Sequence, residues 1–192
     1  MQRLHDVAKE KEVIYVPCHR SHIDYLLLGY VTYENGLHLP HVAAGINLNM
    51  PVVGGILRRG GAFFLRRTFK GNRLYATVFD AYINQVLAKG HSMEYFVEGG
   101  RSRTGRLLSP KGGMLVMTVN SFIRNPRRSI VFVPIYFGYE KLIEGDSFIN
   151  ELGGAKKKKE TVGGLIRSVK SLRDHFGKVY VNIAEPVELE PI

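Results

Sequence analysis

The sequence predicts an α/β domain: a central, mostly parallel sheet flanked by helices. Three observations carry this. Short apolar runs rich in β-branched residues alternate almost throughout with longer segments whose apolar residues recur at helical spacing. Strand candidates are followed by polar or glycine-rich turns leading into helical patterns. With 192 residues, the chain is long enough for one domain with a substantial core.

The elements follow in order. Residues 1–11 read as a charged, helical lead-in, and Val13 to Pro17 as a buried strand. From His22 to Tyr33, Ile23, Leu26, Leu27, Tyr30 and Val31 recur at helical spacing until Asn35-Gly36 stops the helix. His41 to Ala44 is a short second strand. Pro51 opens a helix that Gly60-Gly61 ends, and Ala62 to Leu65 is a third strand running straight into Arg66-Arg67. Leu74 to Leu87 is the clearest helix, with Leu74, Val78, Ala81, Tyr82 and Val86 on the face expected to pack. Ser92 to Val97 is a strand, and residues 98–106 leave it as a polar loop. Pro110 fits the first turn of a helix reaching Arg124, and Asn125-Pro126 marks a turn. Ile130 to Phe137 is a strongly apolar strand; its Pro134 predicts an edge position or a local irregularity. Residues 140–160 read as loop-rich and include Lys156–Lys159. Thr161 to Phe176 reads as a helix that Thr161 can cap, and Val179 to Ile183 as a last strand.

Composition narrows the class of partner. The formal net charge is +10, which points to an anionic partner: nucleic acid, an anionic membrane surface or a phosphorylated substrate. One cysteine excludes an internal disulfide framework and fits a reducing compartment. No apolar h-region follows the polar first eleven residues, and no apolar run is long enough to span a bilayer. Opening just before its first strand and stopping just after its last, the chain is expected to be one domain, 1–192, cut from a longer protein.

Four polar constellations fall where strands end, and ligands in open α/β sheets bind beyond the carboxyl ends of strands. His19 and Asp24 follow the first strand. A carboxylate in the first helical turn is favoured by the helix dipole, and it could fix the imidazole tautomer, leaving the other nitrogen as a base. Taken alone, the pair is as readily a surface histidine beside a helix-start carboxylate. Arg66 and Arg67 close the third strand, and guanidinium binds phosphate bidentately, although a solvated basic turn has the same sequence. Glu98, Gly99, Gly100, Arg101, Ser102 and Arg103 combine glycine-permitted backbone approach with cationic donors. Gly100 to Gly105 has the spacing of a nucleotide-binding P-loop, but Arg106 and Leu107 stand where lysine and Ser/Thr are required. Val133-Pro134-Ile135 is the fourth block. His19/His22 and His38/His41 share a ligand-like spacing without further ligands, so no metal is expected.

Together and in this order, the blocks resemble the glycerophospholipid acyltransferase superfamily. Its His-x4-Asp block is matched by His19 and Asp24. Its Gly-x-x-Phe-Leu/Ile-Arg-Arg block is matched by Gly61, Phe64, Leu65, Arg66 and Arg67. Its Phe-Val-Glu-Gly-Gly/Thr-Arg-Ser-Arg block is matched from Phe96 to Arg103, and its Val-Pro-Ile block at Val133 to Ile135. The wording is nearest the bacterial membrane-bound glycerol-3-phosphate acyltransferases, over roughly residues 13–185. The chain departs from that branch in lacking the large regions on either side of the domain.

The resemblance implies transfer of a fatty acyl group from a thioester to a hydroxyl of glycerol 3-phosphate. His19 is the implied general base and Asp24 its orienting partner. Arg67, Arg101 and Arg103 are the implied phosphate ligands, with Ser102 and Gly99 as neutral donors and Arg66 a weaker candidate. Glu98 is expected to orient an arginine or accept from an acceptor hydroxyl. No cofactor is implied beyond acyl-CoA or acyl carrier protein as co-substrate. An anionic membrane surface is expected as a partner, through Lys156–Lys159 and Arg124, Arg127 and Arg128, at the cytoplasmic face of the bacterial inner membrane. Alternatives are acylation of dihydroxyacetone phosphate or of a lysophospholipid. A non-catalytic basic module is the rival of another class, but no nucleic acid is expected because RNP-like strands, zinc-finger spacing and a basic recognition helix are all lacking.

Overall fold

The computed structural model describes residues 2–66, 68–69, 71–124, 129–154 and 176–189. Helix α1 (Gln2–Glu10) leads into β1 (Glu12–Pro17), α2 (Asp24–Glu34), β2 (His41–Gly45), α3 (Val53–Arg59), β3 (Ala62–Leu65), α4 (Arg73–Ala88) and β4 (Met93–Glu94). Then come α5 (Gly113–Arg124), β5 (Ile130–Tyr139), α6 (Gly145–Leu152), β6 (Val179–Ile183) and β7 (Val187–Leu189). The sheet runs β3-β2-β4-β1-β5-β6, with β7 also on β5. The first five strands are mutually parallel, and β6 and β7 add antiparallel to β5.

Alternation along the strands divides the core. Ile14, Met93, Phe63 and Ile130 face α4 and α5 and pack on Phe79, Ile83, Val86 and Phe122. Val13, Tyr15, Val131, Val133 and Ile135 face the other way and pack on Leu4 of α1 and Leu28 of α2. The result is helix, sheet, helix in three layers, as a parallel sheet buried on both faces requires.

Several expectations change in the fold. Pro134 lies on an interior strand, so the edge expectation fails, and the local irregularity is what occurs. On its far side β5 pairs with β7 through residue 132 and with β6 from residue 135. Pro134 sits opposite that change of partner. Its carbonyl accepts the Ala184 N–H at 2.9 Å, so the N–H it lacks would face the same irregular link. Residues 140–160 are not all loop, because α6 forms within them and buries Phe148. β7 was not foreseen at all. Helix α5 begins at Gly113 rather than near Pro110, because the Lys111 N–H is committed to the Val97 carbonyl at 2.7 Å. In α4 the packed residues are Phe79, Ile83, Val86 and Leu87, whereas Leu74, Val78 and Tyr82 are exposed. The sheet ends at β3, so among the described residues nothing in the layer covers that second stripe. The helix expected over 161–176, the Asn125-Pro126 turn and Lys156–Lys159 lie outside the described residues, apart from Phe176.

Two loops matter for the site. The chain leaves β1 toward β2 and leaves β4 toward β5 on the other side of β1. These neighbouring strands therefore open a crevice at their carboxyl ends, the switch point of the sheet.

Candidate active site

The loop from β1 and the loop from β4 are tied together in this crevice. The His19 N–H donates to Glu98 Oε1 at 2.8 Å and the Leu108 N–H to Glu98 Oε2 at 2.7 Å. The Ser102 N–H donates to the His19 carbonyl at 2.9 Å. Glu98 is buried, and a buried carboxylate is tolerated when its oxygens are hydrogen-bonded. In this structure it clamps backbone to backbone.

Asp24 opens α2 and is fully buried. Its Oδ2 lies 2.9 Å from His19 Nδ1 and accepts the N–H groups of Arg20 at 2.6 Å and Ser21 at 2.9 Å. Its Oδ1 accepts the hydroxyl of Tyr139, from the end of β5. These four donors offset the desolvation of the carboxylate. An ionised carboxylate only accepts, so Nδ1 carries the imidazole proton and Nε2 is the basic nitrogen. Phe96 stacks on the imidazole with centroids 4.0 Å apart, holding the ring from its face. Burial, then the Asp24 charge, pushes the Tyr139 phenol up, so it stays a neutral donor. Burial likewise pushes the Cys18 thiol up, and its Sγ accepts the Phe137 N–H at 3.3 Å.

Arg101 and Arg103 reach across to α6. Arg101 Nη1 lies 3.3 Å from Glu144 Oε1, and Arg103 Nε donates to Glu151. Both guanidinium groups also lie over the Phe148 ring, at 5.5 and 5.6 Å. Glu144 further accepts from Ser21 Oγ and from the His22 N–H, each at 2.8 Å. It therefore joins the His19–Asp24 loop to the arginine loop. Gly99 takes φ +61°, and a Cβ there would come within 2.8 Å of the Lys111 side chain. Ser102 is buried, with its Oγ unpartnered among the described residues.

The structure thus brings together His19, Asp24, Glu98, Gly99, Arg101, Ser102 and Arg103. Arg66 stands apart. It is exposed at the end of β3, three strands from β1, or about 14 Å of sheet at roughly 4.8 Å per strand. Its guanidinium lies 4.7 Å from the Tyr75 ring centroid. Arg67 lies outside the described residues. Sequence reasoning missed Tyr139, Glu144 and Phe148. Tyr139 ends an apolar strand and the others sit in a stretch read as loop, so no local signal marked them. Among the described residues no group of three or more His, Cys, Asp or Glu could hold a metal ion.

An α/β sheet with a histidine–carboxylate pair and an arginine loop at its switch point defines a domain suited to polar group transfer. The chain belongs to the Acyltransferase family, whose profile matches residues 1–138. Residues 148–192 match a second profile, the glycerol-3-phosphate acyltransferase C-terminal region. Over 190 residues the chain is 59% identical to the glycerol-3-phosphate acyltransferase of Pseudomonas aeruginosa, covering 99% of this chain and 23% of that protein. With the Pseudomonas putida protein of the same name it shares 58% over 189 residues, covering 98% and 23%. The chain therefore spans about a quarter of the length of these relatives. The fold is similar to the crystal structure of the 1-acyl-sn-glycerophosphate (LPA) acyltransferase PlsC from Thermotoga maritima. The TM-score is 0.51 and the identity 21%, over 93% of this chain and 56% of that one.

Proposed function

We propose that this chain is the catalytic domain of a longer protein that transfers a fatty acyl group from a thioester to a hydroxyl of glycerol 3-phosphate, giving lysophosphatidate. The observation that carries the reading is the buried Asp24 fixing His19 Nδ1 at 2.9 Å, at the crevice of the sheet. The names of the relatives support the choice of acceptor. Pairing of β6, within the second matched region, with β5 supports a single domain over 1–192.

In the proposed reaction His19 Nε2 takes the proton of the acceptor hydroxyl as its oxygen attacks the thioester carbonyl. Asp24 stabilises the imidazolium. The tetrahedral intermediate collapses, the carbon–sulfur bond breaks, and the thiolate leaves with the proton from His19. The products are an ester and a free thiol, with no acyl-enzyme. General base catalysis of this kind is worth roughly 10²–10⁴-fold.

Arg101, Arg103 and Arg67 are the proposed ligands of the acceptor phosphate, with the Ser102 Oγ as a neutral donor beside Gly99; Arg66, three strands away, is set aside from this role. A guanidinium carries five N–H donors, so a carboxylate on one edge and a phosphate on another can be held at once. Glu98 acts by clamping the two loops. The donor is acyl-CoA or acyl carrier protein, and the protein works at the cytoplasmic face of the bacterial inner membrane. Among the described residues no helix is long and apolar enough to cross a membrane.

The test is thiol release from an acyl thioester with glycerol 3-phosphate as acceptor, in wild type and His19→Ala. Loss of turnover with acceptor binding retained is expected. Near wild-type rates in the variant would refute the base assignment, and a preference for dihydroxyacetone phosphate or a lysophospholipid would refute the acceptor.

A further inference from the structure

A cavity of about 490 Å³ lies between β3, α4 and the last turn of α3, far from the carboxyl edge of β1. Its walls are largely apolar, from Phe63, Phe64, Val78 and Tyr82, with Arg58 beside them. The second apolar stripe of α4 runs along it. Leu74 is 76% exposed, Val78 59% and Tyr82 41%, and their i, i+4, i+8 spacing puts them in one row. A row of large apolar residues left to water beside an open groove marks an interaction surface.

The charge around the groove selects the partner. Residues 35–79 contain six Lys or Arg and no Asp or Glu. Arg58 lies over the Phe64 ring at 5.1 Å and Arg66 over the Tyr75 ring at 4.7 Å. Their guanidinium groups therefore stack on aromatic rings of the apolar wall, which sets positive charge directly at its border. Arg59 and Arg73 are exposed on the flanking helices. A second copy of the chain, docked face to face, would set arginines against arginines. An anionic lipid surface supplies both the apolar layer and the phosphates.

We propose that this face seats the domain on an anionic bilayer. Val78, Tyr82 and Leu74 enter the headgroup boundary, and Arg58, Arg59, Arg66 and Arg73 meet lipid phosphates. The inference rests on the lipid-surface part of the proposed function and not on the chemistry at His19. Lipid binding is read without turnover, so its failure leaves the thiol-release result standing.

The chain has no tryptophan, so Val78→Trp introduces a lone reporter at an exposed position. With vesicles of phosphatidylethanolamine and phosphatidylglycerol, its emission should shift to the blue and be quenched by brominated lipid. Phosphatidylcholine vesicles should produce little change. Each basic residue near an anionic surface is worth roughly fivefold in partitioning, so Arg58→Gln with Arg59→Gln should lower vesicle binding roughly 25-fold. Tyr33→Trp, on the exposed side of α2, is the control and should stay unquenched. A shift at position 33 but not at 78, binding indifferent to the arginine pair, or equal response to phosphatidylcholine would overturn the proposal. So would a blue shift that grows with protein concentration in the absence of vesicles, because that identifies a second copy as the occupant.

Discussion

Glu94 lies on β4 beside Tyr15 of β1, fully buried, and both its carboxyl oxygens lack a hydrogen-bond partner among the described residues. Desolvation first, and then the charge of Asp24, raises its pKa well above the ordinary carboxylate range. Between the unfolded and the folded pKa the fold therefore favours the neutral acid where the unfolded chain is ionised. A raised folded pKa means that the associated stability is present in full below the unfolded pKa and is lost as pH rises toward the folded one. The loss runs at about 1.4 kcal/mol per pH unit. Glu94→Gln keeps the shape and removes the titration. As pH rises from the unfolded pKa toward the folded one, the variant should gain on wild type by about 1.4 kcal/mol per pH unit. For a chain of 192 residues each kcal/mol moves the Tm by roughly 2–4 °C, so the gap in Tm should widen by about 3–6 °C per pH unit. Urea and thermal unfolding at a series of pH values measure this directly. Parallel pH profiles for the two proteins would refute the reasoning, since they would require Glu94 to be charged and partnered in the fold.

Tyr139→Phe removes the neutral donor from Asp24 Oδ1 and leaves the other three donors in place. Hydrogen bonds to charged groups contribute about 1.5–3 kcal/mol, so urea denaturation should show a loss of that size, and an unchanged midpoint would contradict the bond. Arg67→Ala should raise the KM for glycerol 3-phosphate with kcat nearly unchanged, the signature of lost uniform binding. Steady-state kinetics decide it, and a fall in kcat at constant KM would remove Arg67 from the ground-state phosphate site.

The alternation of strand and helix patterns was legible along the chain because each element carries its own periodicity and punctuation. The strand at 13–17 and the helix after Asp24 needed only local signals. Where the reading slipped, the deciding partner was distant. For Pro134 the sequence leaves an edge position and a local irregularity equally open, because the change from β7 to β6 on its far side is a property of the last described residues. The exposure of the outer stripe of α4 is not legible, because helical periodicity reports which positions are apolar, not where the sheet stops. Surroundings rich in glycine and charge hide helix α6, although Phe148 gives it a buried anchor.

The candidate site divides in the same way. By itself the sequence singled out the candidate residues: a histidine and an aspartate five positions apart at a strand end, and an arginine-rich glycine loop at another. Order and spacing along the chain suffice for that, since the two groups of each block are close neighbours. Only the tertiary structure decided how they are held. Glu98 clamps loops whose anchor residues are 79 positions apart, Tyr139 completes the shell of Asp24 from 115 positions away, and Glu144 ties the arginine loop to the histidine loop. Those contacts exist because parallel strands bring their carboxyl ends to one edge of the sheet, and that edge is assembled from segments that are remote in sequence.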